Sequence, residues 1–285
     1  MANLFSGLES LGLGNLSNVE LFEQKEKVKD KGKEHPSEVM EIKEADFIFE
    51  KTFTCPVCDK EFKAKQVRTG RVKLIGSDSD LRPKYQHVDS LKYDAIVCPT
   101  CGYAALNRFF NFMSSAQARL IRENISNTFR GLKEGADILT YEEAITRHKL
   151  ALINAVVKRA KASEKAYTCL KLAWLCRGYA ENLPAELPEP EEKKKELKAQ
   201  EQEFIANAYE GFVDAFSKEA FPMCGMDEIT VTYLTAELAR RVGKYEDALR
   251  MIARVLTSRE ANERIKSKAR ELKEQIRLDM DTAEQ

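Results

Sequence analysis

The sequence predicts a mainly α protein in which a small β unit precedes an antiparallel array of helices. Between residues 46 and 112, short aromatic and β-branched stretches alternate with turn-forming glycine, serine and aspartate residues, as in loop-rich β structure. From residue 113 onward, glycine and proline become scarce, and apolar residues recur at intervals of three and four, the spacing of one helix face. We therefore predict an N-terminal arm (1–45), a β domain (46–112) and a helical domain (113–285).

The arm is expected to be flexible. Nearly every residue from Lys25 to Glu34 is charged, which is typical of a solvated segment. Leu4, Leu8 and Leu11 could share one face of a short helix, so a docking peptide for a partner, or for the chain's own helical groove, is the alternative interpretation.

Composition restricts the classes of function. The chain has 285 residues, of which 43% are hydrophobic and 32% charged, and its 46 basic residues balance 46 acidic ones. A nucleic-acid-binding protein usually has a basic excess or stripe, so the balance argues against nucleic acid as the main ligand, although a local patch stays possible. We expect a cytoplasmic protein, because the N-terminus lacks the basic region of a signal peptide and no apolar run reaches about 18 residues.

Two Cys-x-x-Cys pairs carry the clearest chemical signal. Each pair brings two thiolates together from one tight turn, and two pairs complete the tetrahedral four-sulfur shell of a structural zinc site. The four candidate ligands are Cys55, Cys58, Cys98 and Cys101. The spacer from Asp59 to Val97 is longer than the roughly 15–20 residues of a compact pair and leaves room for a hairpin. The β domain is therefore predicted to be zinc-ribbon-like.

Other uses of these cysteines stay open. Four thiolates also suit iron, and the Cys-Pro-x-Cys-Gly form of the second pair resembles rubredoxin-like sites. A redox role is disfavoured, because two matched pairs are present and neither lies in a βαβ context. Catalytic zinc is not expected, since four protein ligands leave no open position. Cys169 and Cys176, seven residues apart on one helix, are predicted to be core residues.

The helical half contains a repeated motif. Tyr141–Ile145 (YEEAI) reappears as Tyr245–Leu249 (YEDAL), an offset close to three of the roughly 34-residue periods of tetratricopeptide repeats. We therefore predict a TPR-like array, with a generic antiparallel helical array as the alternative. Helices are expected over residues 114–131, 141–160, 164–181, 193–220, 228–242, 245–257 and 260–279.

A dense polar set lies in the spacer between the cysteine pairs. Its alternating charges suit either a loop that is held by its own ion pairs or a recognition loop for an anion or peptide, with arginines as forked donors. The candidate recognition residues are Arg71, Asp78, Asp80, Arg82 and Tyr85.

Several segments together resemble a bacterial family known only as domain of unknown function 2225. The resemblance covers most of the chain from about residue 46, and also includes the opening Met1–Phe5. It implies a cytoplasmic bacterial protein with a zinc-ribbon-like head and tetratricopeptide-like helices, and it implies no known activity. It is carried by Phe53–Cys58, Asp78–Arg82, Tyr93–Ala105 and Tyr233–Gly243.

Three functions are consistent with these observations. The preferred hypothesis is a non-catalytic zinc-binding adaptor or scaffold that binds a protein or peptide partner through its helices, because no catalytic grouping stands out. The first alternative is a zinc ribbon that binds nucleic acid through Arg68, Arg71, Lys73, Arg82 and Lys84. The second alternative is an enzyme that uses the Asp78–Tyr85 loop, which would require perturbed carboxylates in a cleft.

Overall fold

The computed structural model describes residues 43–132, 137–184 and 188–283. Residues 1–42, which include most of the predicted arm, lie outside the described residues. Within the described part the protein is mainly α, with a small region of antiparallel strands before an array of helices, as predicted. Six strands pair as three separate two-stranded sheets, β1–β2, β3–β4 and β5–β6. The strands are β1 (Ile48–Thr54), β2 (Glu61–Val67), β3 (Leu74–Ser77), β4 (Pro83–Tyr85), β5 (Ala95–Val97) and β6 (Ala104–Leu106).

The array contains seven described helices, and three of them begin with a side-chain cap. Ser114 and Thr140 form capping boxes at the first two helices, and the Asp227 carboxylate caps the fifth, each satisfying amides that the helix itself leaves unpaired. The helices are α1 (Ser115–Ile121), α2 (Tyr141–Val157), α3 (Ala162–Glu181), α4 (Pro190–Lys218), α5 (Glu228–Arg241), α6 (Tyr245–Thr257) and α7 (Glu263–Ala283).

The first predicted helix is too long. It was expected to run to residue 131. In the structure, the α-helix ends at Ile121, and a π-helical turn follows over Arg122–Ser126. The chain then turns so that the Phe129 ring covers Gly102, where an added Cβ would lie only 2.5 Å from Phe129 Cγ. Packing against the second cysteine turn therefore overrides the local helical pattern.

Three apolar cores position the functional groups. The first surrounds the four cysteines and is closed by Ile121 and Ile125. The second lies among α2–α5 around Leu170 and Phe212, and the third joins α5, α6 and α7. Leu81, in the turn between β3 and β4, packs against both helical cores, so this hairpin turn is embedded in the helical array.

Candidate metal centre

The four predicted cysteines converge on one point. All four Sγ atoms lie within 4.8 Å of one another, with Cys55 and Cys101 3.6 Å apart and Cys58 and Cys98 3.7 Å apart. A tetrahedral ion with metal–sulfur distances near 2.3 Å requires sulfur separations of about 3.8 Å. A disulfide would need about 2.05 Å, and all four cysteines are free. The arrangement therefore fits one four-coordinate metal ion.

The two cysteine turns have the same backbone design. After the second cysteine of each pair comes a residue with positive φ, Asp59 (59°) and Gly102 (72°). The amides of these two residues donate to the carbonyls of Cys55 and Cys98, at 2.9 and 3.1 Å. Glycine adopts this conformation without steric cost, and aspartate tolerates it better than most residues. At Gly102 the close Phe129 ring makes any side chain unfavourable as well.

Backbone amides and neighbouring thiols shape the acidity of the set. The hydrogen bond with Cys101 lowers the pKa of the Cys98 thiol, assisted by the amides of Cys101 and Thr100. The hydrogen bond with Cys101 instead raises the pKa of the Cys55 thiol. A bound dication would favour the thiolate form of every ligand, and binding would release protons.

Side chains of the helical region hydrogen-bond to the backbone of both cysteine turns. Arg122 Nε donates to the Val57 carbonyl at 2.9 Å, and Asn154 Nδ2 donates to the Gly102 carbonyl at 3.1 Å. These bonds join the first turn to the π-helical segment and the second turn to α2. The ligands are buried except for Cys58, which is half-buried. The candidate centre therefore lies where the β region meets the first two helices.

The remaining cysteines and the described histidines do not join this set. No described histidine belongs to the four-cysteine group, and the exposed His87 ring stacks on Phe47. Cys169 and Cys176 lie in the main helical core, as predicted, and burial raises their thiol pKa values to about 11 and about 12.

The predicted recognition loop has a different environment from an open binding loop. Asp80 and Arg82 are 0% and 4% exposed, and their side chains face the helices. Asp78 is half-buried beside them, whereas Arg71 is exposed and Tyr85 is half-buried on β4. The structure therefore brings Asp78, Asp80 and Arg82 together inside the protein. Asp80 is fully buried, whereas the Arg82 side chain lines the cleft beside β4, and the recognition loop stays a prediction.

Asp78 and Asp80 belong to what we call the ionic cluster, which joins the β3–β4 turn to three helices. Arg177 of α3 donates to Asp80 Oδ2 at 2.6 Å and to Asp78 Oδ2 at 2.9 Å. Ser79 Oγ donates to Glu237 Oε1 of α5 at 2.7 Å. We define the cluster by Asp78, Asp80, Arg177, Glu201, Glu237, Arg240 and Arg241. Arg82 and Lys84 also pair with Asp78, and Asp279 pairs with Arg240.

The arginines of the cluster lower the pKa values of two buried carboxylates, Asp80 and Glu237. Burial alone would raise the pKa of Asp80, but the hydrogen bond and charge of Arg177, together with the charge of Arg241, outweigh burial and lower it. Burial is outweighed in the same way at Glu237, where Arg240 and Arg241 lower the pKa. A carboxylate with a lowered pKa is a poor general acid near neutral pH, so the cluster has the character of a structural network.

Sequence reasoning did not identify the helical members of the ionic cluster. One signal was available: Arg177 interrupts an otherwise apolar stretch of α3, and a buried arginine requires an acidic partner. The identity of that partner depends on the tertiary fold.

Comparison with known proteins places the chain in a family. A family model described as "Uncharacterized protein conserved in bacteria (DUF2225)" matches residues 48–276. The chain belongs to this family. The DUF2225 protein is similar to an uncharacterized protein of Borreliella burgdorferi (strain ATCC 35210 / DSM 4680 / CIP 102532 / B31), with 24% identity over 148 residues that cover 44% of this chain and 53% of that relative. The chain thus spans about half the length of the curated relative it matches.

Two further findings concern solved structures and membrane spans. No solved structure matches the DUF2225 chain. None of its described helices combines the length and apolar character that a membrane span requires.

Proposed function

We propose that this DUF2225 protein is a non-catalytic zinc-binding adaptor whose helical array binds a protein or peptide partner. The observation that supports zinc binding is the set of four cysteine sulfurs, which together would fill a tetrahedral coordination shell. Closed shells of this kind are typical of structural zinc. Iron remains the minor alternative, because four thiolates suit it as well.

The lack of an open ligand position supports a structural role for the metal. Catalytic zinc sites keep one position for water or substrate, whereas each position here is matched by a cysteine. The acidic residues of the Asp78–Tyr85 loop also support a non-catalytic protein. Asp78 and Asp80 are ion-paired with lowered pKa values, the opposite of the raised pKa that a general acid needs.

Helical arrays commonly present extended surfaces to protein partners. The environment of the basic residues between the two cysteine pairs also favours a protein partner over nucleic acid. Of the cations that the nucleic-acid alternative requires, Arg82 is buried against Glu181, and Lys84 pairs with Asp78. Arg68 lies over the Phe49 ring. Two of the five cations are therefore already paired with carboxylates of the chain, which reduces the positive charge available to phosphates.

Site-specific photo-crosslinking in bacterial cells tests the adaptor proposal. A photoreactive amino acid is placed at exposed apolar positions of the helices, Ile153, Val213 and Leu278, and at Ile75 of β3 as a matched control. We expect a defined protein to be crosslinked from at least one helical position and not from Ile75. Crosslinks from Ile75 alone, or co-purified nucleic acid whose binding weakens steeply with salt, would contradict the proposal.

A further inference from the structure

The helical array has an apolar groove of about 440 Å³ between α4, α5 and α6. Val213 on its wall is 41% exposed, and Phe216 packs edge-to-face on Phe221 with ring centroids 5.6 Å apart. Its volume lies at the lower end of the roughly 300–1,000 Å³ typical of ligand sites, which suits a few side chains of a peptide. The apolar wall is formed by Val213, Phe216, Phe221 and Met251.

A second cavity of similar size is less suited to a partner. The cleft of about 490 Å³ beside β4 is lined by a mixture of apolar and charged residues, and two of its buried cations already have carboxylate partners. Arg82 pairs with Glu181 at 2.9 Å, and Lys92 pairs with Glu44 at 2.7 Å. A ligand there would have to replace these ion pairs, whereas the groove offers apolar surface that gains free energy when it is removed from water.

The rim of the groove indicates the charge of its partner. Arg250 and Arg254 lie four residues apart on α6, and therefore on one helix face. Among the described residues, the acidic side chain that lines the groove with them is Glu228. The two guanidiniums pair with Asp247 and Glu228, but their side chains are 76% and 60% exposed. Such exposed pairs contribute little to stability, so a partner carboxylate can replace the carboxylates of the chain.

We propose that this groove binds a peptide segment of a partner protein that places an aromatic or aliphatic side chain next to carboxylates. The apolar side chain enters between Phe216 and Met251, and the carboxylates bind Arg250 and Arg254. The inference rests on the proposed adaptor function, for which it names the binding face and the chemistry of the partner.

Selection of random short peptides displayed on phage, against the full-length metal-loaded protein, provides the probe. The most enriched peptide is synthesised with a fluorophore, and its affinity is measured by anisotropy. We expect acidic peptides with an apolar side chain, and binding about tenfold or more weaker for Met251→Lys and for Arg254→Glu. A peptide whose carboxylate is replaced by lysine should bind Arg254→Glu more tightly than it binds the wild type.

Arg277→Glu is the matched control. Arg277 is also an exposed arginine, 56% accessible and paired with a glutamate three residues away on its own helix, but it lies outside the groove. This variant should bind the selected peptide with wild-type affinity, and thermal unfolding checks that all variants are folded.

The outcomes separate the groove from the adaptor function. Peptides that bind Met251→Lys as well as the wild type, or that carry basic residues, would overturn the groove assignment and leave partner binding intact. If no peptide is enriched while crosslinking from the helices still captures a protein, the groove inference alone fails. If both experiments fail, the adaptor proposal fails as well.

Discussion

The β region and the helical array are stabilised by different means. The β region consists of three separate two-stranded sheets, and its apolar core is built around the four cysteines. The helical array buries extended cores between consecutive helices and needs no ion to bring its side chains together. Small units with little apolar core usually depend on a metal or a disulfide, so we expect metal removal to affect the two regions very differently.

Two sets of contacts nevertheless connect the regions. Arg122 and Asn154 bind the backbone of the cysteine turns. The ionic cluster binds the β3–β4 turn to α3 and α5, and Arg177 extends it to α4. By its contacts, the β3–β4 turn belongs to the helical array. The boundary between the β domain and the helical domain near residue 112 stays a prediction. The main stabilising interactions of the turn join residues on opposite sides of this boundary.

The largest expected effect is that of removing two ligands. The double variant Cys55→Ser, Cys98→Ser should lose about 10–16 kcal/mol of apparent metal-binding free energy, which is comparable with the whole stability of a domain. Hydrogen exchange measured by mass spectrometry should become fast in β1, β2, β5 and β6 and stay slow in α5 and α6.

Cys224→Ser serves as the control for that variant. Cys224 is buried and donates through Sγ to the Ser163 carbonyl at 3.3 Å, a bond that serine can also make. The Cys224→Ser variant should leave hydrogen exchange in the β strands unchanged. Equally fast exchange in both regions of the double variant would show that the helical array depends on the metal too.

The next largest effect should come from the ionic cluster. Arg177→Met leaves the fully buried Asp80 carboxylate without its main partner, and breaking a buried pair in this way costs about 3–5 kcal/mol. The free energy of unfolding is measured by urea denaturation of the metal-loaded protein. Adding Asp80→Asn should recover part of the loss, because the uncompensated charge is removed.

Arg277→Met provides the comparison. Arg277 forms an exposed pair with Glu274, and such pairs contribute about 0–1 kcal/mol. Equal losses for Arg177→Met and Arg277→Met would mean that the cluster does not hold the hairpin turn to the helices.

A smaller, pH-dependent effect is expected at His148. Burial lowers the pKa of His148 from 6.5 to about 4, although the nearby Asp94 charge and the bond from Nδ1 to the Ala144 carbonyl at 2.8 Å favour the proton. Because the unfolded state then binds the proton more readily, stability should fall by about 3 kcal/mol as the pH decreases from 6.5 to 4, and this contribution is fully present above pH 6.5.

His148→Asn tests this linkage, since the asparagine amide can still donate to the Ala144 carbonyl. The variant should be less stable at neutral pH, but its free energy of unfolding should vary less between pH 6.5 and 4. His87→Asn, at an exposed ring with positive φ, should keep the wild-type pH dependence. An unchanged dependence in His148→Asn would assign the acid sensitivity to other groups.

The sequence predicted those features that depend on local spacing. Two cysteines in one turn must lie close together, so the four-cysteine set and the positive φ of Gly102 follow from the sequence. The ionic cluster does not, because it joins residues nearly a hundred positions apart, such as Asp80 and Arg177. Asp78, Asp80 and Arg82 have the composition of an exposed loop, whereas the packing of Leu81 against two helical cores places Asp80 and Arg82 in the interior.

The most direct test of the central claim is the metal content of the full-length chain, measured by native mass spectrometry after purification without added metal. We expect one zinc ion per chain in the wild type and in Cys224→Ser, and none in Cys55→Ser, Cys98→Ser. One iron ion instead of zinc would keep the four-cysteine site but contradict its proposed identity. A folded wild-type protein that contains no metal would contradict the claim that this site stabilises the β region.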